Sequence, residues 1–431
     1  MGNADNLPAH TAICQNGVRI YIAAMLATPE IIREAAQCHR VQALLPRWRE
    51  VPLYRDSLAR HDSGFAGLPI ISKAELRAAF PQNLLPAGRT LDELLAEHII
   101  ELEHTSGTSE DRLPVMFGRS WWNEQEARAL RLNKFVARVL DEHPNARRAT
   151  LTSPACNGLT CPTVWASPTQ RTFGNSLFVN LARIPFVLSD AELQRMADEI
   201  TEWSPQFLDV DPVHGMWFAL FCERRGIRFP SLRFIICSYE FVSVVHRRIL
   251  ARVFGVPVFN LYGSTETGHL LMENEAGEMK TSLDTALLEM VDTDADGIGT
   301  LLATTLSNDF MPLLRYRIGD LAQRNEQPYG TDYIVHGRIR DALTATDGRR
   351  VTTWQVDQCF AGAAGIAHYQ LRQNADGPAR LRYIPDSGGP GEITLKQIVT
   401  NLEALLKTSV TTESVPTLLP EASGKFRLTC Q

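Results

Sequence analysis

Phe234-Ile-Ile-Cys237, then His246 to Phe254, then Val256 to Leu261 read as apolar run, amphipathic segment and apolar run. Both runs are too short for helices and suit buried strands, and the segment between them suits a crossover helix. That order is the βαβ-like signature of an α/β layer structure. Upstream, Gly215 to Arg225 reads as a helix closed by Gly226, and Ile31 to Trp48 carries apolar residues at helical spacing. Ser72 with Glu75 has capping-box spacing and opens a helix through Phe80. Ser189 with Glu192 repeats it before Leu193, Met196, Ala197, Ile200 and Trp203, which share one face. Downstream, Leu287 to Val291 and Leu301 to Thr304 read as strands joined through the turn residues Asp296-Gly297 and Gly299.

Beyond Asp341 the texture changes. Asp347-Gly348 before Val351 predicts a hairpin, Tyr369 to Leu371 and Leu381 to Ile384 predict two more strands, and Leu395, Ile398, Leu402 and Leu405 align on a helix over Thr394 to Leu406. This is a small α+β unit of about ninety residues with its boundary near Arg338 to Asp341.

The chain has 431 residues, 44 % of them apolar and 21 % charged, and its formal charge is −6. These are globular values that exclude collagen-like, coiled-coil and largely disordered classes, and they predict two or three domains. A mildly acidic balance provides no electrostatic footprint for nucleic acid or an anionic membrane. The uncharged stretch Ala149 to Gln170 is too rich in Thr, Ser, Pro and Asn to cross a bilayer. The start, Met1 to His10, lacks a basic region and an apolar run, so no secretory signal is expected. Only Cys156 and Cys161 among the 8 cysteines lie close together, and no CxxC pair occurs, so a reducing cytoplasm is the expectation.

Five short segments could carry chemistry. In His104-Thr-Ser-Gly-Thr-Ser109, hydroxyls and backbone N–H groups around a Gly can converge on phosphate oxygens, although the P-loop pattern GxxxxGK[ST] does not occur. Phe259-Asn-Leu-Tyr-Gly-Ser-Thr-Glu266 presents hydroxyls and a carboxylate at the carboxyl end of a strand, where α/β sheets bind ligands and where Glu266 could hold Mg²⁺. Asp320, in Leu314-Arg-Tyr-Arg-Ile-Gly-Asp-Leu321, could accept from two ribose hydroxyls, and Arg338 in Gly337-Arg-Ile-Arg-Asp341 could reach ribose or phosphate. Gly424-Lys425 near the end of the chain could be swung into a site. Read alone, each is equally a turn, a cap, a charged linker or a frayed terminus. No Gly-x-Ser-x-Gly elbow or HExxH occurs, and His104, His214, His269 and His336 are too scattered to suggest a metal site.

Taken in order, the motifs resemble those of the adenylate-forming superfamily (acyl- and aryl-CoA ligases, peptide-synthetase adenylation domains), and most of all its phenylacetate–CoA ligase branch. Thr105-Ser-Gly-Thr-Ser109 is similar to the phosphate loop, Ser238-Tyr-Glu240 stands where the family has Gly-Ala-Glu, and Tyr262-Gly-Ser-Thr-Glu266 matches Tyr-Gly-x-Ser/Thr-Glu. Met311 to Asp320, Gly337 to Asp341 and Ser423-Gly-Lys425 follow in family order, and Val51-Pro-Leu-Tyr-Arg55 with Leu68 to Lys73 resemble the helical entry of that branch. The resemblance implies a large multi-layer α/β adenylation domain over residues 1–339 and a small α+β C-terminal lid over 340–431. It implies ATP-dependent activation of a carboxylic acid as acyl-AMP with release of pyrophosphate. Transfer to CoA or a carrier-protein phosphopantetheine would follow, or transfer to an amine; a degenerate nucleotide-binding protein is the reading from another class.

Roles carried over by this resemblance are as follows. Thr105, Ser106, Gly107, Thr108 and Ser109 would hold the β- and γ-phosphates. Asn260 and Tyr262 would contact adenine, with Ser238, Tyr239 and Glu240 beside them and Gly263 and Ser264 completing the motif. Thr265 would bind the α-phosphate, Glu266 the Mg²⁺, and Asp320 the ribose with help from Arg338. Lys425 would catalyse adenylation. Four departures stand out. Glu110-Asp-Arg-Leu-Pro114 replaces the family's Gly-Lys-Pro, leaving Arg112 as the nearby cation; Arg340 stands at the usual hinge acid, with only Asp341 kept; and no Cys lies in His269 to Lys280 or Gln323 to Gly330, so no structural zinc is expected. Pro154 to Pro162 and Leu208-Asp-Val-Asp211 replace the Gly-rich acyl segment. Asp209 or Asp211 could there pair with a substrate amino group, pointing to an amino-substituted aryl acid or amino acid, or cap the next helix. The oligomeric state is left open, a dimer included.

Overall fold

A computed structural model describes residues 29–60, 67–85, 88–105, 112–153, 167–327, 330–374 and 378–431. The chain enters through the helices α1 (Pro29–Trp48), α2 (Pro52–Arg60), α3 (Lys73–Arg77) and α4 (Leu91–Ala96). Helix α3 opens on the expected capping box: the Ser72 hydroxyl accepts from Ala74 N–H and Glu75 reaches back to the Ser72 N–H at 2.9 Å. It is shorter than the sequence predicts, because residues 78–80 turn before Pro81, which cannot donate into a helix. The strands β1 (Ile100–His104) and β2 (Pro114–Gly118) form a separate antiparallel hairpin. It is followed by α5 (Trp121–Leu130) and α6 (Lys134–Glu142).

One twelve-stranded sheet forms the body. It takes β3 (Arg148–Leu151), β4 (Thr172–Phe173), β5 (Ser176–Phe178), β6 (Phe207–Val210), β7 (Phe234–Cys237) and β8 (Val258–Ser264). Then come β9 (Gly268–Glu273), β10 (Met279–Thr281), β11 (Ala286–Val291), β12 (Ile298–Thr305), β13 (Tyr316–Gln327) and β14 (Gly330–Arg338). The order across it is β11-β12-β13-β14-β10-β9-β8-β7-β6-β3-β5-β4. The run β8-β7-β6-β3-β5 is parallel, as the βαβ reading requires, and β8 turns antiparallel against β9. Strand β7 is buried along its whole length, and so is β12, which is why both read as unbroken apolar or small-residue runs.

The crossover helices are α7 (Asp190–Trp203), α8 (Pro212–Arg225) and α9 (Val244–Phe254), capped by Ser189, Asp211 and Ser243. Helix α8 starts three residues earlier than the sequence suggests. The Asp211 carboxylate accepts from the N–H groups of Val213 and His214, and Pro212 needs no partner at the first position. Gly226 closes it in the left-handed conformation at φ 67°.

After β14, a 3₁₀ turn over Ile339–Asp341 leads to the hairpin β15 (Leu343–Thr344) and β16 (Arg350–Val351) and to α10 (Thr353–Gln358). A four-stranded sheet follows, ordered β19 (Val410–Ser414), β18 (Ala379–Pro385), β17 (Ile366–Arg372), β20 (Thr429–Cys430), with α11 (Glu392–Leu406) against it. Its core holds Phe360, Tyr369, Leu381, Ile398 and Leu402 and also takes in Val245 of α9. Conversely, Phe426, Leu418 and Ile384 are buried in the cluster built on α7, α8 and β6. Among the described residues no helix is long and apolar enough to cross a membrane.

Candidate active site

The carboxyl ends of β7 and β8 open into a cleft. A cavity of about 180 Å³ there is bordered by Thr105, Asn260, Tyr262, Thr265, Glu266, Asp320, Arg338 and Lys425. Gly263 lets the chain turn at its centre: a Cβ there would lie 2.2 Å from the Gly268 carbonyl oxygen. The Tyr262 hydroxyl donates to Asp320 Oδ2 at 2.7 Å, and Arg338 Nε stands 3.1 Å from Asp320 Oδ1, so both oxygens of this buried acid are engaged. Glu266 is buried, which alone would favour its neutral form. Lys73 Nζ, 3.1 Å from its Oε1, holds it below the ordinary carboxylate range, and the Tyr316 hydroxyl donates to the same oxygen at 3.1 Å.

Lys425 is brought to this cleft by the chain end. Its Nζ donates to the Tyr239 carbonyl at 2.8 Å, and the next N–H, of Phe426, donates to Glu240 Oε1 at 2.8 Å. Burial, and then Asp211 beside it, push Glu240 well above the usual carboxylate range. Gly424 sits at φ 88°, and a Cβ there would lie 2.4 Å from Ser153 Oγ, so the residue before the lysine tolerates no side chain. The loop is tied to the 3₁₀ turn through Arg340–Glu421 at 2.6 Å and Asp341–Arg427 at 2.7 Å.

A second cavity of about 670 Å³ shares Tyr239, Gly263, Ser264, Thr265 and Lys425 with the first. Aromatic walls come from Phe117, Trp122, Phe173 and Phe178. Polar ones come from Glu103, Glu126, Arg148, Thr150, Asp209, Ser238 and His269. Asp209 accepts from the Ser238 hydroxyl and the Tyr239 hydroxyl, each at 2.7 Å. Burial pushes its carboxyl up against the pull of Arg148. Glu103 is raised to about 7 by burial and by Glu101, and burial keeps His269 neutral, below its ordinary value. This arrangement places the Lys425 ammonium group where the two cavities meet.

Most of the expected residues converge here: Thr105, Ser238, Tyr239, Glu240, Asn260, Tyr262, Gly263, Ser264, Thr265, Glu266, Asp320, Arg338, Arg340, Asp341 and Lys425 border one cavity or both, and Asp209 borders the larger. Asp211 borders neither: it is fully buried, and its Oδ1 accepts from the Val213 and His214 N–H groups at the start of α8, the capping alternative. Thr105 braces the β1–β2 hairpin, its hydroxyl accepting from the Leu113 N–H at 2.9 Å. Ser106, Gly107, Thr108 and Ser109, with Glu110 and Asp111, lie outside the described residues, as does Pro154 to Pro162. Arg112 is exposed and borders neither cavity; the cation beside Glu266 is Lys73, which the motif reading left unassigned. No local pattern marks Glu126 on α5, Arg148 on β3 or His269 on β9; the packing of that helix on the sheet brings them to one wall. Among the described residues no group of three or more His, Cys, Asp or Glu could hold a metal ion.

No protein-family model matches the chain. A phenylacetate–coenzyme A ligase of Thermus thermophilus is 27 % identical over 209 residues, 44 % of this chain and 47 % of that protein. The match thus spans about half the length of that relative. Among solved structures, 2-hydroxyisobutyryl-CoA ligase in the postadenylation state with an acyl-AMP matches with a TM-score of 0.66 and 17 % identity over 99 % of this chain and 94 % of that one. The anthranilate CoA ligase AuaEII with anthranoyl-AMP matches at 0.54 and 15 % identity over 76 % and 64 %. ATP-bound MatB from Rhodopseudomonas palustris matches at 0.51 and 15 % identity over 76 % and 66 %. The chain therefore has the fold of the adenylate-forming ligases and is similar in sequence to a phenylacetate–CoA ligase.

Proposed function

We propose that this protein activates a carboxylic acid, aryl or amino-aryl, by ATP and then passes the acyl group to the thiol of CoA or of a carrier-protein phosphopantetheine. The observation that carries the reading is the position of Lys425 at the junction of the two cavities. In the first step a carboxylate oxygen bonds to the α-phosphorus, the bond to the bridging oxygen breaks, and pyrophosphate leaves. Attacker and phosphate are both anionic, so an ammonium group between them offsets repulsion and stabilises the charge that spreads in the transition state. In the second step the thiol sulfur attacks the acyl carbon, AMP leaves, and the thiol proton goes to solvent.

The ribose would take the places of Tyr262 and Arg338 on Asp320, and Thr265 would meet the α-phosphate. The ionised carboxylate of Glu266, whose Oε1 is held by Lys73 and Tyr316, could offer its other oxygen to Mg²⁺, an ion that takes few protein carboxylates and completes its shell with phosphate oxygens and water. When bound, the ion would neutralise charge on the leaving pyrophosphate. Residues 1–339 would form the adenylation domain and 340–431 the lid, with Arg340 and Asp341 as its hinge. The four free cysteines among the described residues suit work in a reducing cytoplasm.

Pyrophosphate release with ATP, Mg²⁺ and a panel of acids tests the reading, followed by addition of CoA and, separately, of a phosphopantetheinylated carrier. No release with any acid would sink it. Release with neither thiol consumed would move the acceptor to an amine.

A further inference from the structure

The larger cavity ends, away from Lys425, on an ion pair. Glu126, Arg148, Asn175 and Ser176 border it and also border a third cavity of about 510 Å³. Arg148 Nη1 donates to Glu126 Oε1 at 2.8 Å, and Arg148 Nε donates to Ser176 Oγ at 2.6 Å. The two side chains are only 21 % and 17 % exposed, so the pair stands in the way rather than lying on an open surface. Beyond it the third cavity is mixed, with Leu140, Pro144, Ala146 and Phe207 as its apolar lining and Arg131, Asp141 and His143 as its polar one.

The sheet register explains this placement. Thr150 pairs with Asp209 and borders the larger cavity, while Arg148 pairs with Phe207 and borders the third. Two residues along a strand project to the same face, about 7 Å apart. The route from the lysine therefore runs down one sheet face, past the Thr150–Asp209 rung, and stops at the next. The Thr150 hydroxyl is buried there with no hydrogen-bond partner. The rung and wall hold two carboxylates, Asp209 and Glu126, against one guanidinium. A buried ion pair gains little stability over apolar residues of equal volume, so stability alone is a weak reason for it.

We propose that the Glu126–Arg148 pair is the end wall of the acyl site. Its volume stops acids at the Thr150–Asp209 rung, and its charge, with that of Asp209, selects an acid bearing an amino or hydroxyl donor distal to the carboxylate. This rests on the acid-activating reading above.

The test measures dissociation constants of three acids by calorimetry: phenylacetate, para-aminophenylacetate and para-butylphenylacetate. The wild-type chain should bind the amino acid best and the butyl acid worst. The double variant Glu126→Ala/Arg148→Ala should improve the butyl acid against phenylacetate by about tenfold or more, the scale on which a pocket discriminates apolar groups. Glu126→Gln keeps the volume and should still exclude the butyl acid while losing several-fold of the preference for the amine. An unchanged butyl-to-phenylacetate ratio in a folded double variant would overturn the proposal, as would butyl binding by the Gln variant or no binding of any of the three to the wild type. Should the double variant not fold, Glu126→Ala alone is read in the same way. Calorimetry needs no turnover, so failed pyrophosphate release with intact binding would sink the proposed function and leave the wall standing.

Discussion

Tyr239 occupies a left-handed backbone conformation, φ 73°, that bulky residues rarely adopt. Its hydroxyl donates to Asp209 and its carbonyl receives Lys425, so the bend connects the wall of the larger cavity with the Lys425 ammonium group. Lys425→Ala should lower acid-dependent pyrophosphate release by 10²–10³, about 3–4 kcal/mol, the usual cost of losing one such donor. A preformed acyl-AMP should still be consumed by the acceptor, and equal loss of both steps would refute the role. For Lys73→Met the reading is a pH–rate profile. Burial favours the neutral form of Glu266 and Lys73 opposes it, so removing the lysine raises that carboxyl and moves the acid limb of pyrophosphate release to higher pH. An unmoved limb would separate Lys73 from the chemistry. Glu266, Asp320 and Lys425 were legible because each lies in a short motif whose order along the chain is distinctive. Lys73, Glu126 and Arg148 were not, because each acquires its meaning from a partner far off in sequence.

Helix starts were the most readable elements, since a cap and its N–H partner lie within a few residues of each other. Ser72 and Ser189 cap as their positions suggest, Ser243 caps α9 without having been marked, and Asp211 looked equally like a ligand. Its capping role predicts that Asp211→Ala lowers stability by about 1 kcal/mol, read as a fall in denaturation midpoint. Strand identity was readable for β7 and β8, but the sheet's order was not, because pairing between distant strands leaves no periodic trace in either one. The end of β8, where its pairing with β9 shifts register after Tyr262, admits no side chain at Gly263. Gly263→Ala should cost roughly 1–3 kcal/mol by overpacking and move Thr265 and Glu266 together, lowering Tm and pyrophosphate release at once. Full activity in that variant would show that the turn can relax.

At the scale of the molecule, α9 is the rail on which the C-terminal unit rests. Asp357 accepts from the Ser243 hydroxyl and, at 2.9 Å, from the Val244 N–H; His246 Nε2 lies 3.0 Å from His368 Nδ1; Arg248 donates to the Ile366 carbonyl; and Arg252 pairs with Asp386 at 2.8 Å. Burial drives His246 down to about 3 and His368 well below its ordinary value of 6.5, so both are neutral when folded. Unfolded, they take up protons below about 6.5. Their contribution is complete above that pH and is lost as pH falls toward 3. Asp357, raised to about 6 by burial, acts in the opposite sense between 3.8 and 6. Comparing the wild type with His246→Gln/His368→Asn cancels that opposing effect. The fall in Tm from pH 7 to pH 5 should be smaller in the variant, and an equal fall would refute the assignment.

Phe426 follows the lysine directly and is seated among Phe186, His214 and His368, with ring centroids 5.4 to 6.4 Å away. Phe186 in turn meets Trp217 edge-on at 5.1 Å. Withdrawing the ammonium group from the cleft thus means pulling a cork from an aromatic socket that has an indole in its wall. Trp217 is thus an optical gauge of whether that ammonium group is seated: under the proposed function, the emission lost in Trp217→Phe should change when ATP and an acid are added, and unchanged emission would refute withdrawal of the lysine.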